Sequence, residues 1–159
     1  MPTTYVYGSH ADSFFGEKVL VLGEKLFEGR GKSGPGFIKW VGMEGIAQMY
    51  SWTASVKGFG KAAGVECMLS VTAKGMTPPK GVGMAKDQGI FRTTTGEMGI
   101  LKGMDIAKMD KDKIVSVGLW SFMTASEKLG WMNDLIAIVE FQALDPMWQD
   151  FNITIYEWT

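Results

Sequence analysis

Glu66-Cys-Met-Leu-Ser-Val-Thr-Ala-Lys74 is the stretch that decides the fold. Cys67, Leu69, Val71 and Ala73 alternate with Glu66, Met68, Ser70, Thr72 and Lys74. That period of two places successive side chains on opposite faces of a strand, one face drier than the other. Upstream, residues 46–56 put Ile46, Gln48, Tyr50, Trp52, Ala54 and Val56 on one face and Ala47, Met49, Ser51, Thr53 and Ser55 on the other. A strand is also expected over 19–28, which begins Val-Leu-Val-Leu and can continue through 37–43. Downstream, 90–95 and 98–106 read as a hairpin around Thr95-Gly96-Glu97, and Asp110-Lys-Asp-Lys113 turns the chain into 114–124. The last pair is 135–144 and 151–158, joined through Asp145-Pro146, with Phe151, Ile153 and Ile155 alternating against Asn152, Thr154 and Tyr156.

The 21 glycines fall in clusters, Gly29/Gly31/Gly34/Gly36, Gly58/Gly60/Gly64, Gly81/Gly83/Gly89 and Gly96/Gly99/Gly103. Hairpin ends and sharply bent strands need such residues. One short helix is expected near the C-terminal third: Ser126 can cap it, and Leu129, Met132 and Leu135/Ile136 recur at helical spacing. The sum is an all-β chain, an antiparallel barrel of about eight strands plugged by that helix, because closure removes the exposed edges of so many strands. A two-sheet sandwich is the alternative.

With 159 residues, 46% of them hydrophobic, the chain fits one domain over 1–159, with 1–16 expected as a loosely ordered N-terminal segment. A domain of this size buries roughly 70% of its unfolded surface, enough for a real core or an enclosed cavity. A formal net charge of −1, spread along the chain, argues against nucleic acid or an anionic membrane as partner. Arg30 and Arg92 are the only arginines, too few for an arginine phosphate cluster. The single Cys67 precludes an intrachain disulfide, and no signal-like or membrane-spanning run is visible, so a soluble, cytoplasmic protein is expected.

Most catalytic readings fail on residue supply. One His10 and one Cys67 offer no metal-ligand spacing, and the twelve methionines are scattered as core filling is. Neither a metal nor a cofactor is therefore expected. A serine triad would need His10, which lies in a polar N-terminal segment, and Cys67 alternates with Leu69 and Val71 as a small core residue does. Gly29-Arg-Gly-Lys-Ser-Gly34 lacks the spacing of a phosphate loop.

Polar groups inside apolar strands are better candidates. Glu140 follows Leu-Ile-Ala-Ile-Val and shares a face with Ile136 and Ile138. If that face is interior, desolvation raises its pKa and the carboxyl can anchor a ligand or move a proton; otherwise it is an outer-face or ion-paired group. Arg92, between Phe91 and Thr93, has the same two readings. Tyr50, Trp52 and Trp120, with Trp40, Phe122, Trp131 and Trp158, supply rigid apolar walls for a core or for a ligand. Asn133 and Asp134 lie beside the expected plug, as local caps or as an entrance lining.

From Thr94 onward the order Thr-Thr-Gly-Glu-Met, then Phe122-Met-Thr-Ala-Ser126, then Glu-Lys-Leu-Gly-Trp-Met-Asn-Asp-Leu-Ile-Ala-Ile-Val-Glu140, resembles an uncharacterised family of small archaeal and bacterial proteins. The terminal Tyr156-Glu157-Trp158 is similar to that family's ending, and Glu127 departs from it where glycine is expected. The resemblance covers the C-terminal half well and the N-terminal half loosely. At the level of fold that family is similar to the allene oxide cyclase barrel, eight-stranded, lipocalin-like in shape and trimeric. The resemblance implies a barrel and transfers no catalytic residue.

Three functions stay open. A barrel could bind a small, largely apolar molecule, with Arg92 or Glu140 fixing a polar end and Tyr50, Trp52 and Trp120 as walls. It could be a cyclase- or isomerase-type enzyme using a buried carboxylate. It could be a filled barrel that self-associates as a trimer or dimer through strands apolar on both faces.

Overall fold

The structure is a computed structural model, and it describes residues 22–159. His10, the 1–16 segment and the start of the first expected strand lie outside the described residues. Eight strands run in order: β1 Leu22–Gly42, β2 Gly45–Gly58, β3 Glu66–Thr77, β4 Gly83–Thr93, β5 Met98–Asp110, β6 Lys113–Thr124, β7 Ile136–Ala143 and β8 Asp150–Trp158. Each pairs antiparallel with the next, and β8 returns to β1 from Leu22↔Trp158 to Lys32↔Asp150, so the sheet closes into a ring. Closure excludes the two-sheet sandwich. No helix of the described residues is long and apolar enough to cross a membrane.

The expected alternation decides which side of each strand is inside. Cys67, Leu69, Val71 and Ala73 of β3 are buried, as are Trp52, Ala54 and Val56 of β2 and Phe151, Ile153 and Ile155 of β8. Strand β1 is one continuous strand through Gly42, bent by register shifts between Ser33 and Gly36 and between Ile38 and Trp40. Beyond Lys32 it leaves β8 and pairs with β2 alone, while β2 stays paired with β3 as far as Ile46↔Thr77, so at this end the sheet from β1 through β3 extends past β8.

The expected helix is absent. Residues Gly130–Asp134 form a 3-10 turn with Leu129, not Ser126, at its N-terminal boundary and no side-chain cap. The apolar spacing still does its job: Leu129, Met132 and Leu135 are buried and close one end of the interior. Asn133 fixes the turn by acting as a surrogate strand, its Oδ1 accepting from the Thr124 amide (2.7 Å) and its Nδ2 donating to the Thr124 carbonyl (3.1 Å). That is the structural role for Asn133, at the end opposite the cavity described below. At the same end the Thr94–Glu97 turn is tied by Glu97, which accepts hydrogen bonds from the Thr93 and Thr95 hydroxyls. These donors, with Lys128 at 3.5 Å, hold the Glu97 carboxyl down at about 2.

Candidate functional site

The interior is filled at the plugged end and hollow at the other. Leu26, Phe27, Leu69, Phe91, Leu101, Phe122 and Met132 pack the filled half. Above them Trp52 and Trp120 lie nearly parallel, ring centroids 5.8 Å apart and planes 18° apart, edged by Phe141 and Phe151. Beyond this aromatic layer a cavity of about 300 Å³ opens at the end where β1 and β2 extend past β8. Its walls include Tyr50, Trp52, Met76, Ser116, Phe141 and Trp148, and Asp105 reaches into it.

The register explains why space is left there. One row across the sheet runs Gln48, Gly75, Ala85, Asp105, Gly118. Asp105 is thus flanked by residues with little or no side chain, and a methyl on Gly118 would overlap Asp105 Oδ1. The adjoining row runs Tyr50, Ala73, Asp87, Gly103, Trp120. Here Trp120 lies over Gly103 and its Nε1 donates to Asp87 Oδ2 at 3.3 Å. Small residues at 73, 75, 85, 103 and 118 make room for two acids and an indole.

Asp87 and Asp105 are only 4% and 6% exposed. Each keeps one oxygen, Oδ1, without a hydrogen-bond partner, and so does Trp148 Nε1. Burial raises both carboxyl pKa values; the pair is within hydrogen-bonding reach, and the charge of Asp87 raises Asp105 further. Two acids so close in a low-dielectric interior cannot both ionise cheaply, so they share a proton, with Asp105 donating to an Asp87 anion held by Trp120. Desolvation and the same two acids push the Tyr50 hydroxyl upward, so it stays protonated.

Trp148 is placed by the loop between β7 and β8. Asp145 accepts backbone hydrogen bonds from Met147 (2.9 Å), Gln149 (3.1 Å) and Asp150 (2.8 Å), which hold its carboxyl below the usual range. The loop bends through Trp148, whose φ of 55° is unusual for a bulky residue. Trp148 then stacks on Phe151 (5.2 Å, 19°) and meets Tyr50 edge-on (5.3 Å, 87°).

The sequence candidates divide cleanly. Trp52 and Tyr50 line the cavity, and Trp120 is buried behind Trp52, outside the lining. Arg92 and Glu140 stand exposed on the outside of β4 and β7, a correction: the alternation that buries Phe91, Thr93, Val139 and Phe141 turns them outward. Glu140 borders an external groove with Glu28 and Arg30, so neither candidate can fix a ligand in the interior. Cys67 is a core residue whose thiol burial pushes up to about 11. Asp87, Asp105 and Trp148 were missed. The available signal was parity, since Asp105 shares the face of Leu101 and Gly103; Asp87 was hidden because β4 begins at Gly83, within a glycine cluster read as a turn.

The described residues contain no set of three or more His, Cys, Asp or Glu side chains placed to hold a metal ion. No protein-family model matches this chain, and no curated protein does. Solved structures do resemble it. A protein with unknown function from Clostridium acetobutylicum ATCC 824 superposes with a TM-score of 0.73 at 14% identity, covering 86% of this chain and 95% of that one. A β-barrel-like protein from Acinetobacter baumannii AYE gives 0.72 at 12% identity over 86% and 94%. An enzyme from Penicillium herquei gives 0.62 at 16% identity over 86% and 92%. At these identities the likeness is one of fold: an all-β, barrel-like ring of antiparallel strands, and nothing in it establishes a specific function.

Proposed function

We propose that this protein binds a small, largely apolar molecule in the open half of its ring. The observation that carries the reading is the cavity of about 300 Å³, walled by Tyr50, Trp52, Phe141 and Trp148 and lined also by Asp105. Small-ligand sites combine apolar walls with a few converging polar groups, and this volume is at the lower end of their range. An allene oxide cyclase-like use of the interior is consistent with that arrangement. Native mass spectrometry of protein purified from its own source tests it. A retained mass that is lost from an Ala85→Phe variant, which fills the cavity, supports the reading; a retained mass that persists in that variant places the ligand elsewhere.

A second reading, a proton-transferring isomerase or cyclase, is favoured by one observation: Asp105 is a raised carboxyl facing a water-poor cavity, as a general acid needs. One structural neighbour is described as an enzyme. Deuterium incorporation into the retained molecule on incubation in heavy water, abolished by Asp105→Asn, would decide for catalysis over storage.

Self-association is supported by a different face. On the outside, Met84–Ile106–Val117 and Ile90–Ile100–Met123 form apolar rows across β4, β5 and β6, with Met104–Leu119 between them. All eight side chains are roughly half exposed. An apolar patch of this extent marks an interface, and the proposed occupant is a second copy of the chain. Sedimentation velocity should show a dimer or trimer that Leu119→Lys dissociates; a monomer at all concentrations refutes it.

A further inference from the structure

We propose that the ligand of this cavity is an organic ammonium ion: a small amine whose charged nitrogen sits against Asp105, with Asp87 behind it, and whose apolar body lies among Tyr50, Trp52 and Trp148. The inference rests on the cavity being a ligand site, and adds the charge of what enters it.

Three features of the interior carry it. First, the two carboxyls have no cation to face: among the described residues no lysine or arginine lines the cavity, and none acts on Asp87 or Asp105 electrostatically. Second, Asp105 is more than nine-tenths buried and lines the cavity, and its Oδ1 has no protein donor. A buried acceptor of this kind costs stability unless a donor arrives. Third, the cavity wall is aromatic, and ring faces attract a desolvated cation. An anion would be repelled by the pair, whereas a neutral ligand would meet a single shared proton.

The balance of the binding step follows. In the empty cavity the pair holds one proton between two carboxyls. The ammonium replaces it: its N–H groups donate to the Asp105 carboxylate, the shared proton leaves to solvent, and the net charge in the cavity, acids plus ligand, stays at minus one, two carboxylates now facing one ammonium. The titratable groups lining this point are Asp105 from β5 and Tyr50 from β2, whose hydroxyl keeps its proton, and Asp87 from β4 lies behind Asp105. Binding should therefore release protons at neutral pH, up to one per ligand.

Isothermal titration of the full-length protein with three probes of one shape tests this: tryptamine, tryptophol and indole-3-propionate, each in two buffers of different ionisation enthalpy. Tryptamine should bind about 10- to 100-fold tighter than tryptophol, the range expected for a buried charge-assisted hydrogen bond, and indole-3-propionate should not bind. Only tryptamine should show buffer-dependent heat from proton release. Asp105→Asn, a neutral replacement of the same shape, should remove the preference, so that tryptamine and tryptophol bind the variant alike and neither releases a proton. Should the variant fail to fold, Asp87→Asn and the buffer dependence of the unaltered protein decide instead. If tryptophol binds as tightly as tryptamine, or no proton is released, the cation assignment falls while the cavity survives as a site. If none of the three binds and Ala85→Phe also leaves the mass of any retained ligand unaltered, the cavity reading falls as well. Manganese(II) binding that tryptamine displaces would reassign the acids as a metal pair and overturn the proposal.

Discussion

Gly103→Ala should destabilise this protein far more than its chemistry suggests. Gly103 lies in the interior of β5, where no turn needs it and its φ is not positive. A methyl built there would overlap Cδ1 of Trp120, lie 2.5 Å from its Nε1 and 2.8 Å from the Leu119 carbonyl oxygen. The indole cannot retreat, because Trp120 is 1% exposed and packed against Trp52, Phe122 and Phe141. Overpacking of a dense core costs about 1–3 kcal/mol, and loss of the hydrogen bond from Trp120 to Asp87 about another 1 kcal/mol. The restricted unfolded chain returns about 0.4–1 kcal/mol, leaving a net loss of about 1–3.5 kcal/mol. At about 2–4 °C per kcal/mol for a domain of this size, the melting temperature should fall by about 2–14 °C. Urea unfolding followed by tryptophan fluorescence measures the first quantity and calorimetry the second. Gly130→Ala is the internal control, since nothing lies within 4 Å of the added methyl and its φ is ordinary. If Gly103→Ala loses less than about 0.5 kcal/mol, the range of an ordinary surface change, the account of Gly103 as room for Trp120 is wrong.

Asp105 binds its proton more tightly in the folded chain than in the unfolded one, so stability should be greatest near or below pH 4, where an unperturbed carboxyl titrates, and decline as pH rises towards its raised folded value. Asp105→Asn should flatten that decline in pH-dependent urea titrations, and an unchanged slope would refute the shared proton. Glu97 has the opposite sign: its lowered carboxyl contributes stability above pH 4 that is lost as pH falls towards about 2, so Glu97→Gln should blunt acid sensitivity without affecting the alkaline side. The Cys67 thiol, buried and raised to about 11, should react with a disulfide reagent only at the rate of opening; prompt labelling of the native protein would contradict its placement. Asp145→Ala removes three acceptor contacts from the loop that positions Trp148, and should change near-ultraviolet circular dichroism and weaken cavity binding while barely moving the midpoint of unfolding.

The sequence made the ring legible because its cue is local. Alternation in Cys67-Leu69-Val71-Ala73 and Phe151-Ile153-Ile155 needs no knowledge of partners, and glycine and Asp-Pro punctuation separates the strands. The plug was misread because Leu129, Met132 and Leu135 satisfy helical spacing over a segment too short for a helix; five residues of 3-10 turn bury the same side chains. Tyr50, Trp52 and Trp120 were found because large aromatics are conspicuous. The polar half of the site was not, because what makes Asp105 special is Gly75, Ala85 and Gly118 beside it on other strands, and those neighbours depend on register. Glu140 had the louder local context and the wrong parity.

The acid pair is also the part of the fold that stability alone does not explain. Most other inward positions near it are apolar or small, and replacing a buried polar pair by apolar groups of matching volume is commonly neutral or stabilising. Asp87 is partly satisfied by Trp120, yet both Oδ1 atoms remain without donors and the cavity beside Asp105 forgoes packing that a leucine would supply. The chain has therefore placed two costly groups behind five small residues on adjoining rows. They occupy the wide end of the ring, where Trp148 and the extended ends of β1 and β2 border the opening, and not the end sealed by Met132. A scaffold that needed only to be filled would have no reason to set raised carboxyls beside the cavity that this end leaves open, which is the placement the binding proposal predicts.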